Sequence, residues 1–185
     1  MHHEVLHFVY EKKHLIPEYF NNARVLEIGS RTVENQPTIR CHFNGCDYIG
    51  VDISNGPNVD IVGKGHEFKS DQLFDTAVSC ECFEHDPFYE KTIMNMIHNL
   101  RPNGLLIFTC ASTGRSEHGT RKSNPQSSIE GIHPKDFEYD IFQDYYKNLT
   151  VDDIKSIPGF NDSMVGQYWV SNEASKDLYF YGYKK

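Results

Sequence analysis

The sequence predicts an α/β protein on an open, doubly wound, mostly parallel sheet of seven strands with an antiparallel hairpin at its C-terminal edge. Three observations carry this. Short apolar runs alternate with helical or polar stretches, the order that gives a parallel sheet with helices on its faces. Leu105-Leu106-Ile107-Phe108-Thr109-Cys110 is apolar on both faces, as a central parallel strand should be. Residues 164–170 and 178–183 are two strand-like runs joined by Ser171-Asn172-Glu173-Ala174, which suits an edge hairpin.

The elements follow in order. Residues 4–20 carry Val5, Leu6, Phe8, Val9, Leu15 and Ile16 and predict one helix, or two short ones because Pro17 blocks continuation. Arg24-Val25-Leu26-Glu27-Ile28 reads as a buried strand closed by Gly29-Ser30. Within 31–46, Pro37 suits the first turn of a short helix running to about Phe43. Asp47-Tyr48-Ile49-Gly50-Val51-Asp52 is a second strand ending on an acid. Val59-Asp60-Ile61-Val62 is a brief third strand, and Phe74-Asp75-Thr76-Ala77-Val78-Ser79-Cys80 the fourth. A helix from about Pro87 places Ile93, Met94, Ile97 and Leu100 at helical spacing and stops at Arg101-Pro102-Asn103-Gly104. Residues 111–148 are polar and without clear period, a length that predicts a functional lid or disorder. Thr150 then caps a helix start, with Asp153 near the third position.

The length of 185 residues suits one domain, 1–185, with an N-terminal helical segment over 1–22 and the 111–148 insertion as a substrate lid. Lys plus Arg is 18 and Asp plus Glu is 26, so the formal charge is 18 − 26 = −8. That argues against a surface built for phosphate backbones or an anionic membrane. No apolar run approaches the roughly 20 residues that span a bilayer. No basic segment followed by an apolar stretch opens the chain, so a cytoplasmic location is expected. Five cysteines, an odd count, read as reduced thiols. Cys80-Glu81-Cys82 is spaced too tightly for a zinc knuckle.

Three features sit at consecutive strand ends: Glu27-Ile28-Gly29-Ser30, Asp52, and Gly63-Lys64-Gly65-His66-Glu67. In an open α/β sheet ligands bind at the carboxyl ends of the strands, near the switch in strand order. Gly29 lets backbone approach a ligand, and an acid about 20 residues on can accept both hydroxyls of a ribose. A dinucleotide site wants G-x-G-x-x-G, but Gly29 is followed by Ser30, Arg31 and Thr32. Glu27 would repel a pyrophosphate and favour a cationic group such as an ammonium. An adenosine bearing an amino acid is S-adenosylmethionine.

Val25-Leu26-Glu27-Ile28-Gly29-Ser30 resembles the first motif of class I S-adenosylmethionine-dependent methyltransferases. Gly50-Val51-Asp52-Ile53 resembles their ribose-binding acid motif. Residues 74–80 with Phe83-Glu84-His85-Asp86-Pro87 resemble the fourth-strand segment of the small-molecule branch. Leu100-Arg101-Pro102-Asn103-Gly104-Leu105-Leu106 is similar to its turn before the fifth strand. The resemblance covers about residues 24–110 and implies a Rossmann-like fold. It implies cofactor contacts from Glu27, Gly29, Ser30, Arg31, Asp52, Ile53, Cys80 and His85. Lys64-Gly65 stand where the family usually carries an acid for the adenine amine, so that recognition falls to backbone of Gly65 and His66, or to Glu67.

Several residues have two readings. Glu27 could pair with Arg31, and Asp52 could simply form a turn before Ser54. His85 could touch cofactor or substrate, or cap the helix after Pro87. Asp86-Pro87-Phe88-Tyr89 is close to the D-P-P-Y motif of amino-methylating DNA enzymes, but it lies past the strand end, and the net charge makes nucleic acid an unfavoured partner. The loop after the fifth strand, with Arg115, Glu117 and His118 between Gly114 and Gly119, lies where substrate should meet cofactor. Arg115, His118, Tyr145 and Tyr146 are the expected substrate contacts. His118 is the expected acid–base residue, with His85 competing for the role. No metal is expected.

The expected reaction is in-line transfer of a methyl group from S-adenosylmethionine to oxygen or nitrogen of a small-molecule or glycan acceptor. Positioning supplies most of the acceleration. The alternatives are a catalytically silent cofactor-binding module acting through a partner, a nucleic-acid methyltransferase, and a dinucleotide enzyme.

Overall fold

The computed structural model describes residues 3–32, 36–124 and 137–185. Its centre is a seven-stranded sheet: β1 (Arg24–Ile28), β2 (Asp47–Asp52), β3 (Ile61–Val62), β4 (Phe74–Cys80), β5 (Leu100–Ala111), β6 (Met164–Asn172) and β7 (Asp177–Lys184). The strand order is β3-β2-β1-β4-β5-β7-β6. The pairs among β1 to β5 are parallel, while β7 runs antiparallel to both β5 and β6. The expected fold class is the one observed. The order reverses between β1 and β4, and a crevice opens there beyond the strand ends.

Strand periodicity splits the core in two. On one face, α2 (Tyr89–Asn99) lays Ile93, Met96 and Ile97 against Leu26, Ala77, Leu106 and Phe108. The short helices α4 (Val151–Lys155) and α5 (Phe160–Ser163) add Ile154 and Phe160 to that face. On the other, α1 (His3–Leu15) lays Val5, Phe8 and Val9 against Val25, Val78, Leu105 and Ile107. Thr150 and Asp153 form the expected capping box at the start of α4.

Some boundaries differ from the sequence reading. The short helix expected after Pro37 is a 3-10 turn over Ile39–His42, capped by Thr38. The third strand keeps only Ile61–Val62. Leu100 opens β5 instead of closing α2: it pairs with Phe74, and a register shift between Phe74 and Thr76 carries residues 101–104 into the strand. Asn103 takes a left-handed φ of 61° there. The hairpin turn falls two residues later than expected. In the 111–148 insertion, α3 (Phe137–Asp144) forms where no period was visible. Residues 125–136 of that insertion lie outside the described residues. No described helix is long and apolar enough to cross a membrane.

Candidate active site

At the switch point, β1 delivers Glu27, 2% exposed, into a cavity of about 110 Å³. Gly29, Ser30 and Arg31 line one side, Cys80 and Glu81 the other. Tyr48 Oη donates to Glu27 Oε2 at 2.9 Å. Burial raises the Glu27 carboxyl to about 8, against the lowering pull of the Tyr48 hydrogen bond and the Arg40 charge. The alternative, a Glu27 ion pair with Arg31, is not seen among the described residues.

Gly29 has φ +80°, and a Cβ there would lie 2.6 Å from Cys82 Sγ. Glycine is therefore required twice over, for conformation and for contact between the β1 and β4 loops. Ser30 Oγ is buried without a hydrogen-bond partner among the described residues. Burial pushes the Cys80 thiol up, so it lies beside Glu27 as a neutral group rather than a nucleophile. Glu81 leaves β4 with φ +54°, a conformation costly for a long side chain and found where a site over-determines it.

At the end of β2, Asp52 Oδ2 accepts the Arg31 amide at 3.0 Å and Oδ1 the Ser54 amide at 2.9 Å. The turn-forming reading and the ligand reading both hold, since a carboxylate has about four acceptor sites and two are taken. Burial raises its pKa and the two amides oppose that. Arg31 acts through backbone here. A Cβ on Gly56 would come within 2.9 Å of Arg31 Cγ, so the side chain packs over that turn. Ile53 follows Asp52, half-buried.

The expected adenine contacts, Gly65 and His66, lie in a 3-10 turn, Gly65–Glu67, after β3. Gly65 is buried, and a Cβ there would meet Ile28 and Thr92 at 2.7 Å. Its carbonyl accepts Asn95 Nδ2 at 2.8 Å, so Gly65 seats the loop on α2 and its carbonyl is already engaged. His66 lays its ring 4.5 Å from that of Phe88 and offers a wall.

The acceptor side is built by the next two strand ends. A 3-10 turn, Phe83–His85, follows β4, and the His118 loop follows β5. The His85 and His118 rings meet edge to face, centroids 5.0 Å apart. Tyr146 closes the group at 5.5 Å from His85 and 5.1 Å from His118. Both His118 Nδ1, at 3.0 Å, and Tyr146 Oη, at 3.1 Å, donate to the Ser116 carbonyl. Gly119 has φ +67°, and a Cβ there would lie 2.8 Å from His85 Cε1, so the loop needs glycine to bring the histidines together. Burial, and next the His118 charge, depress His85 to about 4, so it is neutral near pH 7. Glu81 borders the Glu27 cavity and its charge also reaches His85, so the two halves adjoin.

Two expected substrate residues, Arg115 and Tyr145, do not join the ring cluster among the described residues. Arg115 Nη1 donates to the Ser175 carbonyl at 2.6 Å and lies 3.7 Å from Asp177, which ties it to the hairpin. Tyr145 makes no ring contact or hydrogen bond with the histidine pair among the described residues. Asp86 accepts from the Phe88 amide and the Thr92 hydroxyl, so this acid, and not His85, fastens the start of α2. That accounts for the Asp86-Pro87 sequence without a base-binding role. Tyr48, Glu81 and Glu84 escaped the sequence reading: each sits in or just after a strand, where nothing in the pattern separates a site residue from core.

The family described as "Methyltransferase domain" matches residues 1–139. A comparison with curated proteins gives no match. Among solved structures, 1,6-didemethyltoxoflavin-N1-methyltransferase of Burkholderia thailandensis, with bound 1,6-didemethyltoxoflavin and S-adenosylhomocysteine, superposes with a TM-score of 0.62 at 16% identity, covering 97% of this chain and 78% of that one. Magnesium protoporphyrin IX methyltransferase of Synechocystis, with bound S-adenosylmethionine, gives 0.61 at 12%, covering 98% and 79%. An N-methyltransferase of Bradyrhizobium japonicum gives 0.55 at 14%, covering 98% and 93%. At these identities the likeness concerns the fold.

Proposed function

The chain belongs to the methyltransferase domain family, and from that premise we propose that it moves a methyl group from S-adenosylmethionine to oxygen or nitrogen of a small-molecule or glycan acceptor. The observation that carries the reading is Glu27: a buried acid with no Lys or Arg ion pair among the described residues, facing a cavity at the strand switch point. Such a group fits a ligand that brings its own cation. Asp52, one strand over with two acceptor sites left, fits the ribose hydroxyls.

When bound, the cofactor supplies an electrophilic methyl on a sulfonium. Glu27 holds the ammonium, and Gly29 lets the β1 loop approach the amino-acid part. Asp52 fixes the ribose, and its amides from Arg31 and Ser54 keep the carboxylate aimed. The acceptor lies against His85, His118 and Tyr146, where His118 can take a proton from a hydroxyl or amine. Of the insertion, His118 and Tyr146 border that pocket, which fits a segment that shields the acceptor from water. The small-molecule acceptors named for the Burkholderia and Synechocystis structures support a small acceptor. The engagement of Asp86 with α2 removes the motif support for a nucleic-acid one.

The test is formation of S-adenosylhomocysteine in separate arms holding pooled small metabolites, glycans, and DNA or RNA. The reading expects turnover in one of the first two arms. Turnover confined to nucleic acid contradicts it, and so does a chain that fails to bind S-adenosylhomocysteine.

A further inference from the structure

The turn after β4 and the loop after β5 bring together a donor set that the sequence reading, which expected no metal, did not connect. One ligand atom each from Glu84, His85 and His118 lies within 4.8 Å of the others. Ligand atoms on one such ion lie at most about 4.3 Å apart, so two imidazoles and a carboxylate held this near one another need draw in only slightly to share one.

A second observation points to a ligand. Glu84 is fully buried, no side chain among the described residues hydrogen-bonds its carboxylate, and only the backbone amides of Glu84 and Ala111 approach it, outside good hydrogen-bond geometry. No Lys or Arg ion-pairs with it among those residues. A buried carboxyl in that state is costly and calls for a compensating group. Its charged surroundings from neighbouring elements, Glu81 on the β4 exit and Asp177 on β7, are of the same sign. Arg115 lies 3.7 Å from Asp177 and does not ion-pair with Glu84 among the described residues. The local field favours a cation.

The histidines are prepared for the same role. The Ser116 carbonyl can only accept, so His118 Nδ1 carries the proton and Nε2 keeps its lone pair. A backbone carbonyl holding the far nitrogen of a ligating histidine is a common support of metal sites. Among the described residues no group hydrogen-bonds the His85 ring. Gly119 allows the His118 loop to come this close.

We propose that Glu84, His85 and His118 form a binding site for a divalent transition-metal ion of the zinc class. Two nitrogens and one oxygen suit zinc, cobalt, manganese or ferrous iron better than calcium. Three protein ligands leave a coordination position open, the arrangement of catalytic rather than structural zinc sites. That position is available to an acceptor oxygen or nitrogen beside Tyr146. This last role rests on the methyl-transfer reading, whereas binding of the ion does not.

The test uses the metal alone. The full chain is stripped with a chelator and titrated with Co²⁺ while visible absorption is recorded, then Zn²⁺ is added. Ligand-field bands that saturate at one equivalent and bleach with Zn²⁺ are expected. His118→Ala and the near-isosteric Glu84→Gln should each weaken Co²⁺ binding by at least ~100-fold, while melting as cooperatively as the parent. Thermal melts separate loss of a ligand from loss of fold. Three results overturn the proposal: no saturating bands, bands unchanged in both variants, or a thiolate charge-transfer band that puts the ion on a cysteine. Because no methyl donor or acceptor is present, these outcomes leave the methyl-transfer reading to its own assay.

Discussion

Tyr48 Oη donates to Glu27 Oε2 at 2.9 Å, joining the start of β2 to the end of β1 beneath the cavity at the strand switch point. The hydrogen bond favours the Glu27 carboxylate, yet burial wins and holds the group at about 8. Near neutral pH the unliganded protein therefore carries Glu27 mostly protonated. An arriving ammonium makes the carboxylate favourable, so ligand binding and proton release are coupled.

The first prediction follows. Binding of S-adenosylhomocysteine at pH 7 releases a proton, and affinity rises from about pH 6 to about pH 8, by at most tenfold per unit. Calorimetry in buffers of different ionisation enthalpy measures the release directly. Glu27→Gln should bind more weakly and without that proton. Equal heats across buffers for the parent protein would remove Glu27 from the ammonium site.

The same shift has a stability consequence. The folded-state pKa lies above the group's ordinary value of 4.5, so the folded state binds the extra proton. The stabilisation is complete below about pH 4.5 and is lost as pH rises through about 8, at roughly 1.4 kcal/mol per unit at most. Glu27→Gln should therefore melt above the parent at pH 9 and close to it at pH 5. A constant difference between the two across that window would show that Glu27 does not titrate there.

Gly29→Ala sets a side chain at φ +80° with its Cβ 2.6 Å from Cys82 Sγ. The strain is of order 1–2 kcal/mol before the clash is counted. The expected outcome is a folded protein with at least tenfold weaker S-adenosylhomocysteine binding, read by calorimetry beside a melt. Parent-like affinity would mean the β1 loop does not face the cofactor.

His118→Ala should leave S-adenosylhomocysteine affinity near the parent value while turnover falls by about 10²-fold or more, whether the imidazole acts as base or as ligand. Gly119→Ala should do the same through displacement, since its Cβ would lie 2.8 Å from His85 Cε1. Parent turnover in His118→Ala would place the chemistry elsewhere.

Within the insertion Arg121 pairs with Asp144, and Ser112 Oγ ties its start to the chain just beyond its end by donating to the Leu149 carbonyl at 2.7 Å. As a lid it should show slower amide exchange over 111–148 when S-adenosylhomocysteine binds. Protection that is already high and unchanged by ligand would contradict the lid.

Strand ends were legible in the sequence because each feature is local: Glu27, Gly29 and Asp52 sit at the close of apolar runs that can only be strands. The capping box at Thr150 was legible for the same reason. What escaped depends on contacts between distant segments. Leu100 kept the helical spacing of α2, yet its pairing with Phe74 drew it into β5. His85 and His118 looked like rivals for one role, and only the parallel pairing of β4 with β5 shows that they touch. Arg115 looked like a substrate contact because its loop is polar, but β7 supplies its partners. Gly65 reads as a ligand-facing turn, and its second task, accepting Asn95 of α2 at its carbonyl, depends on a contact 30 residues away.

The most direct test of the cofactor site is calorimetric titration of S-adenosylhomocysteine, with NAD in parallel, into the parent and into Asp52→Ala, each checked by thermal melt. The account predicts saturable binding of S-adenosylhomocysteine, none of NAD, and a loss of roughly 1–3 kcal/mol in Asp52→Ala, which is about 5- to 150-fold in affinity. A folded Asp52→Ala protein that binds S-adenosylhomocysteine like the parent, or a parent that prefers NAD, would contradict it.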